Sequence, residues 1–308
     1  MKLISENLHI ISKEIKEAIL NKNEAFISNL LTRQIATNPD WIDLNIGPAK
    51  KGDTMAWLVN IYKSLNSNIP LSFDTSNKDE IIAGLKLISN PDKCIINSTS
   101  ADEEKLEAFT AIASEYNTNL VALTLNKEIG IPKTADGRLE LAFNIIEKTS
   151  EKGIDNSRIF FDPLILPIGV EQTQANQALD AIRMFKESFD PQTQTTIGLS
   201  NVSNGSPKEL RPLINQTFFI LAAGCGLDSA IVDSFDSELL RINKVIETRE
   251  EEKPQDKLIL GLFDTMQNFG ELEETADLKN CAEAIQIYKT AEILLNKKIY
   301  SHSYLEIN

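Results

Sequence analysis

Histidine and cysteine are scarce in this chain: two histidines, His9 and His302, and three cysteines, Cys94, Cys225 and Cys281, are spread over 308 residues. That scarcity excludes a disulfide framework and a four-cysteine metal or iron–sulfur site within one chain, and it argues against a histidine zinc site or a Ser-His-Asp triad. Positive charge is short as well. Lys and Arg number 31 against 45 Asp and Glu, a net charge of -14, and no basic stripe interleaved with aromatics occurs, so a nucleic-acid partner is not expected. No apolar run reaches membrane-spanning length, and MKLISENLHIISKEIKEAIL lacks the apolar core and cleavage site of a signal peptide, which leads us to expect a cytoplasmic protein without a membrane partner. Neither G-x-x-x-x-G-K-[ST] nor G-x-G-x-x-G is present, which argues against nucleotide phosphates as the main anchor of a ligand.

What the chain does contain is apolar residues, 42% of the total, enough for one large core. They fall in short runs alternating with stretches of helical period. The candidate strands are Leu3 to Ser5, Trp41 to Ile46, Ile69 to Phe73, Cys94 to Ile96, Leu120 to Leu125, Ile159 to Phe161, Thr195 to Leu199 and Leu227 to Val232. Between them, Leu106, Phe109, Ala113 and Tyr116, or Leu179, Ile182, Phe185 and Phe189, keep three- and four-residue spacing. Asn77 with Glu80 has the look of a helix N-terminus with a capping pair. Eight strands, each followed by a helix, point to an α/β fold, a (β/α)8 TIM barrel over residues 1–308, in preference to an open doubly wound sheet. After the eighth strand the rhythm breaks. Residues 236–280 read as a helical insertion holding the charged run ETREEEKPQDK and the apolar LILGLFDTMQNF, and that apolar piece needs a cover, from the barrel or from another subunit.

In such a barrel the site lies at the C-terminal strand ends, and those ends are polar here: Asp43, Asn45, Asp74, Asn97, Asn126, Asp162, Ser200, Asn201 and Asp233. Each one alone also reads as a helix cap or turn residue. As a set they form a ring of hydrogen-bond acceptors and amides suited to a flat heterocycle with an amino-pyrimidinone edge, a pterin or, less well, a purine. Asp162 stands out. It follows IFF, precedes Pro163, and no helix begins behind it, so its charge must reach solvent or a partner.

WIDLNIGPA (41–49), LSFDTSN (71–77), CIINSTS (94–100), LTLNKEIGIP (123–132), FFDPLILP (160–167), IGLSNVSNG (197–205) and RPLINQTF (211–218) resemble the methyltetrahydrofolate:corrinoid/iron-sulfur protein methyltransferase family. That family belongs to a pterin-binding (β/α)8 group shared with dihydropteroate synthase and the folate domain of cobalamin-dependent methionine synthase. The resemblance runs in order to Asp233 and resumes at TAEILLNKKIY (290–300). It implies a methyltransferase of one-carbon metabolism in the acetyl-CoA (Wood–Ljungdahl) pathway, transferring the N5 methyl group of 5-methyltetrahydrofolate to the cobalt(I) of a corrinoid. It also implies that Asp74, Asn97 and Asp162 hold the pyrimidine edge with help near Gly198 and Ser200, and that Asn201 is the catalytic residue facing N5. No D-x-H-x-x-G corrinoid motif is present, so the corrinoid is expected on a partner, a corrinoid/iron-sulfur protein or another corrinoid protein, and this chain is expected to bind no metal. The resemblance further implies a homodimer.

Three alternatives stay open beside it: a methyl-corrinoid protein:tetrahydrofolate methyltransferase of a demethylase system, a dihydropteroate synthase, and a non-catalytic folate-binding subunit. The second needs cationic groups for a diphosphate, whereas VDSFDS (232–237) is acidic. The chain departs from the family pattern in the long 236–280 segment, in a slightly longer SNGSPKELRP, and in His9, which stands where an Asn is expected.

Overall fold

A computed structural model of the chain describes residues 1–48, 53–272 and 281–306. Eight parallel strands follow one another in chain order: β1 Lys2–His9, β2 Trp41–Asn45, β3 Leu71–Asp74, β4 Ile95–Ser100, β5 Asn119–Leu123, β6 Ile159–Asp162, β7 Gln194–Thr195 and β8 Ser229–Val232. Each pairs with its neighbour in sequence, and β8 pairs with β1. The remaining gap, between the chain after β7 and β8, is closed by a single bridge at Gly198 and Ile231, with Ile231 N–H donating to Ile197 O at 2.9 Å. This is a nearly closed (β/α)8 barrel, as the apolar runs implied.

Side chains along a strand alternate between the barrel interior and the helix layer. Ile4, Trp41, Ile95, Val121 and Phe160 form one inward apolar layer, and Trp41 meets Phe160 edge-on at 6.1 Å between ring centres. Two residues further along each strand, the same inward faces carry Glu6, Asp43, Asn97, Leu123 and Asp162. The barrel is therefore plugged by hydrocarbon below and turns polar in one step towards the C-terminal ends. β1 adds a local irregularity: Ser5 opposes Ile42 and Leu8 opposes Leu44, so one extra residue bulges out around Glu6 and Asn7. Because of that bulge His9, in register with Asn45, returns to the inward face with Glu6 instead of pointing to the helices.

The helices are α1 Lys13–Leu20, α2 Glu24–Ala36, α3 Thr54–Ser64, α4 Lys78–Leu85, α5 Glu103–Tyr116, α6 Ala135–Glu151, α7 Gln174–Ser188, α8 Arg211–Gly224, α9 Ser237–Thr248, α10 Asp256–Gln267 and α11 Ala282–Leu294. Asn77 caps α4, accepting from Asp79 N–H at 3.0 Å. Glu80 serves the neighbouring helix: fully buried, it accepts from the Thr54 and Met55 amides at the start of α3, at 3.3 and 2.8 Å. A carboxylate there also meets the positive end of the helix dipole.

The segment read as an insertion contains α9 and α10, while residues 273–280 lie outside the described residues. α8 is buried continuously from Thr217 to Gly224, the mark of a helix covered on both sides. The barrel covers one side, and α10 and α11 pack on the other. A Cβ at Gly224 would sit 2.5 Å from Phe263 O, so α10 approaches as closely as it does only because that position is glycine. LILGLFDTMQNF thus finds its cover within the same chain, through Ile259, Leu260, Leu262 and Met266. The charged run before it is only partly solvated. Asp256 is fully buried, paired with Arg241 at 2.7 Å and accepting from the Glu252 and Lys253 amides, both at 2.8 Å.

Candidate functional site

The polar strand ends meet in the barrel mouth. In the β2–β3–β4 sector Asn45 opposes Asp74, and Asp74 opposes Asn97. Beneath them Asp43 is buried and accepts from Ser72 Oγ at 2.6 Å and from Asn97 Nδ2 at 3.2 Å, which orients the Asn97 amide. Asn45 Nδ2 donates to Asp74, and its Oδ1 takes the Gly47 amide at 3.1 Å. Burial, together with the neighbouring Asp74, pushes Asp43 well above the ordinary carboxylate range. Asp74 itself is pushed up by burial to about 6, although Asn45 and the more distant Lys105 of α5 pull the other way.

Across the mouth, Asp162 ends β6. One of its oxygens accepts the Leu164 amide at 2.7 Å, so part of the turn-residue reading holds, and a second backbone contact comes from Gly198. Leu164 sits at φ +64, a conformation rare for a branched residue, and its carbonyl turns towards Arg138 Nη2 at 3.4 Å. Arg138 is fully buried on α6, bonded to Gln174 at 2.8 Å, with Nε and Nη1 unpartnered. Burial raises Asp162 to about 6 in spite of its two amide contacts and Arg138.

Gly198, Ser200 and Asn201 belong to the turn that follows β7. A Cβ at Gly198 would stand 2.8 Å from Asn201 Nδ2, so the absence of a side chain there makes room for the Asn201 amide. Ser200 and Asn201 are exposed to the mouth. Ser200 Oγ donates to Glu6 Oε2 at 3.4 Å, and Glu6, with Asp233 and Asp74 nearby, is lifted to about 7, chiefly by burial. Asp233 is held by Asn7 Nδ2 and by the Phe235 amide at 2.9 Å, and Asp236 caps α9. The acidic stretch after β8 is therefore local scaffolding as well as charge.

The structure thus brings Asp74, Asn97, Asp162, Gly198, Ser200 and Asn201 to one mouth. It assigns Asn126 to a turn, where its Oδ1 accepts the Ile129 amide at 2.9 Å. Sequence reading missed Glu6, Lys105 and Arg138. Glu6 is the instructive omission, because the candidate strand stops at Ser5 and its inward place depends on the bulge that follows in β1. His9 also reaches the mouth; its Nδ1 is buried without a partner, and burial lowers its pKa while Asp233 opposes the shift. Among the described residues no cluster of three His, Cys, Asp or Glu is arranged to hold a metal ion.

In chemical terms the mouth is rich in acceptors and poor in donors. Three carboxylates displaced to about 6 or 7 stand beside the Asn45, Asn97 and Asn201 amides and the Ser200 hydroxyl, an arrangement that can accept N–H groups. A barrel of this kind is an enzyme scaffold with a small-molecule site at its C-terminal face. The chain belongs to the pterin binding enzyme family, whose profile matches residues 35–233. It is 28% identical over 244 residues to a methylcorrinoid:tetrahydrofolate methyltransferase of Eubacterium limosum, covering 78% of this chain and 88% of that one. It is 32% identical over 192 residues to methionine synthase of Mycobacterium tuberculosis, covering 59% of this chain but only 16% of that much longer protein. Among solved structures, the dihydropteroate synthase of Xanthomonas albilineans superposes with a TM-score of 0.61 at 14% identity, over 82% of this chain and 93% of that one. The Yersinia pestis enzyme gives 0.55 at 16% identity, over 80% and 92%. At those identities the likeness speaks for the fold.

Proposed function

We propose that this protein transfers a methyl group between N5 of tetrahydrofolate and the cobalt of a corrinoid carried by a partner protein. The observation that carries the reading is the exposed Asn201 amide, seated over Gly198 next to a ring of carboxylates short of donors. Asp74 and Asp162, from opposite sides, would accept the N–H groups of the pterin's pyrimidine edge, with Asn97 held between them by Asp43. Gly198 and Ser200 would line the same edge. An ionised carboxylate hydrogen-bonded to ligand N–H groups regains what burial took from it.

Transfer out of 5-methyltetrahydrofolate breaks the N5–CH3 bond while the electron pair of cobalt(I) forms the Co–CH3 bond, and N5 takes up a proton. Asn201 is an uncharged donor placed to stabilise N5 as the methyl group leaves, an interaction that strengthens in the transition state. Glu6, its carboxyl lifted to about 7, lies in the same mouth, bonded to Ser200. The corrinoid would be a substrate brought by another protein, a corrinoid/iron-sulfur protein or a demethylase-type corrinoid protein, and the resemblance supports a homodimer.

The sequence motifs favour a corrinoid/iron-sulfur protein as the partner, to which transfer would run from 5-methyltetrahydrofolate. A specific observation favours the reverse: the Eubacterium limosum relative, matched over most of its length, is named for transfer from methylcorrinoid to tetrahydrofolate. The pocket chemistry serves both directions, and the partner decides between them. The test is anaerobic spectroscopy of methyl–cobalt formation from 5-methyltetrahydrofolate and cob(I)alamin, and of its loss in the presence of tetrahydrofolate. Wild-type transfer that falls roughly 10²-fold in Asn201→Ala supports the reading. Folate binding without transfer in either direction, with free or protein-bound corrinoid, points to a binding subunit, and absence of folate binding removes the pterin reading altogether.

A further inference from the structure

Two stretches singled out in the sequence have no part in the pterin pocket: SNGSPKELRP after Asn201, and the C-terminal TAEILLNKKIY. The structure joins them. Tyr300 Oη and Ser206 Oγ are hydrogen-bonded at 2.7 Å, and Ser206, buried, also gives its carbonyl to Arg211 Nε at 2.9 Å. Ser206 is the outer end of a short hydrogen-bonded coil that starts at the active-site face. Asn201 N–H donates to Gly198 O at 3.2 Å, Asn204 N–H to Asn201 O at 3.1 Å, and Ser206 N–H to Ser203 O at 3.0 Å. Between those anchors Asn204 and Gly205 are exposed, with Gly205 at φ +81.

Tyr300 is fixed from its other side by the loop that follows Asp162. Its amide donates to Gln172 Oε1 at 2.7 Å, Gln172 Nε2 donates to Ile293 O at 2.9 Å, and Asn176 Nδ2 to Leu295 O at 3.0 Å. The ring lies against Gly169, where an added Cβ would be 3.4 Å from it. The same loop reaches the coil directly, Ile168 N–H donating to Val202 O at 2.9 Å. One tyrosine therefore ties the loop behind Asp162 to the coil that presents Asn201.

We propose that Tyr300 is a positioning residue for methyl transfer, acting through Ser206 to hold the Asn201 amide at the distance from N5 that the transition state needs. This rests on the reading of Asn201 given above. Asp74, Asn97 and Asp162 stand on strands, so loosening the coil leaves the pterin's edge contacts in place while the Asn201 amide drifts. A misplacement of about 1 Å costs up to roughly 10²-fold in rate. The clamp therefore governs the transfer rate and leaves folate affinity alone.

The test is a double-mutant cycle of Tyr300→Phe and Ser206→Ala. Single-turnover transfer is measured with saturating 5-methyltetrahydrofolate and cob(I)alamin, alongside folate affinity and melting temperature. Each single variant is expected to lose roughly tenfold in rate with folate affinity unchanged within about twofold, and the double variant to lose no more than either. Full rate in both single variants with only a lower melting temperature, additive rate losses, or a parallel loss of folate affinity overturns the proposal. Asn201→Ala, run beside them, separates the two claims: wild-type transfer in that variant overturns the reading of Asn201 itself, and steep loss there with full rate in Tyr300→Phe overturns the clamp alone.

Discussion

Asp162 and Asp256 are both buried aspartates, and their pKa values move in opposite directions. Asp256, at the start of α10, would be raised by burial, yet Arg241 and the Lys253 and Glu252 amides hold it below the ordinary range. Arg241 is in turn bound to Glu238 at 2.8 Å, and Lys253 to Glu238 at 2.6 Å, so charge closes upon charge within the fold. Asp162 has two amides and a distant guanidinium, and burial wins, leaving it at about 6. One oxygen of Asp256 takes an ion pair and two amides from its own chain, whereas Asp162 has amide contacts and only the more distant Arg138 for charge. That difference separates structural charge from site charge here better than burial or residue type does.

The comparison predicts opposite outcomes for removing the two groups. Asp256→Ala leaves Arg241 largely buried with one partner gone and should cost about 3 kcal/mol of stability in urea unfolding, with folate affinity at room temperature intact. Asp162→Asn should leave the ligand-free fold at least as stable as wild type at pH 7. It should weaken 5-methyltetrahydrofolate binding roughly ten- to a hundredfold by isothermal titration, the range of a lost charged hydrogen bond. Equal destabilisation by both substitutions would erase the distinction.

A smaller effect sharpens it. Glu6, Asp74 and Asp162 have folded pKa values of about 7, 6 and 6, above the unfolded values of 4.5 and 3.8. Between those limits the unfolded chain binds fewer protons, so their contribution to stability, present at acid pH, is lost as pH rises through about 6 to 7. Glu6→Gln should stabilise the ligand-free protein by roughly 2 kcal/mol more at pH 8 than at pH 5, read from melting temperatures at the two pH values. Equal effects at both would mean that Glu6 is not the strained group this account makes it.

The barrel was legible in the sequence because its strands are apolar runs with a polar residue at the end. All eight candidate strands are present. Their ends were less legible for physical reasons. β4 continues to Ser100 although its apolar run stops at Ile96, since Asn97 faces the mouth and Thr99 and Ser100 still pair with β5. β7 ends at Thr195, because the chain there leaves the ladder to form the Asn201 coil and keeps one bridge to β8. Asp74, Asn97, Asp162 and Asn201 could be placed at the mouth from their position after an apolar run. Glu6 could not, because its inward position depends on a bulge, and Arg138 could not, because a helical arginine looks like surface until the Leu164 carbonyl is seen against it. The cover of α10 was equally hidden, resting on Gly224 and the two-sided burial of α8.

The central claim is that the mouth's raised carboxylates are completed by the N–H donors of a pterin. Titrating 5-methyltetrahydrofolate into the wild-type protein at pH 6, in two buffers of different ionisation enthalpy, tests it most directly. The account predicts binding with net proton release, about half a proton each from Asp74 and Asp162, as the ligand stabilises their ionised forms. Release that falls by about half in Asp162→Asn would assign its share. Binding without any proton release, or no binding, would contradict the account.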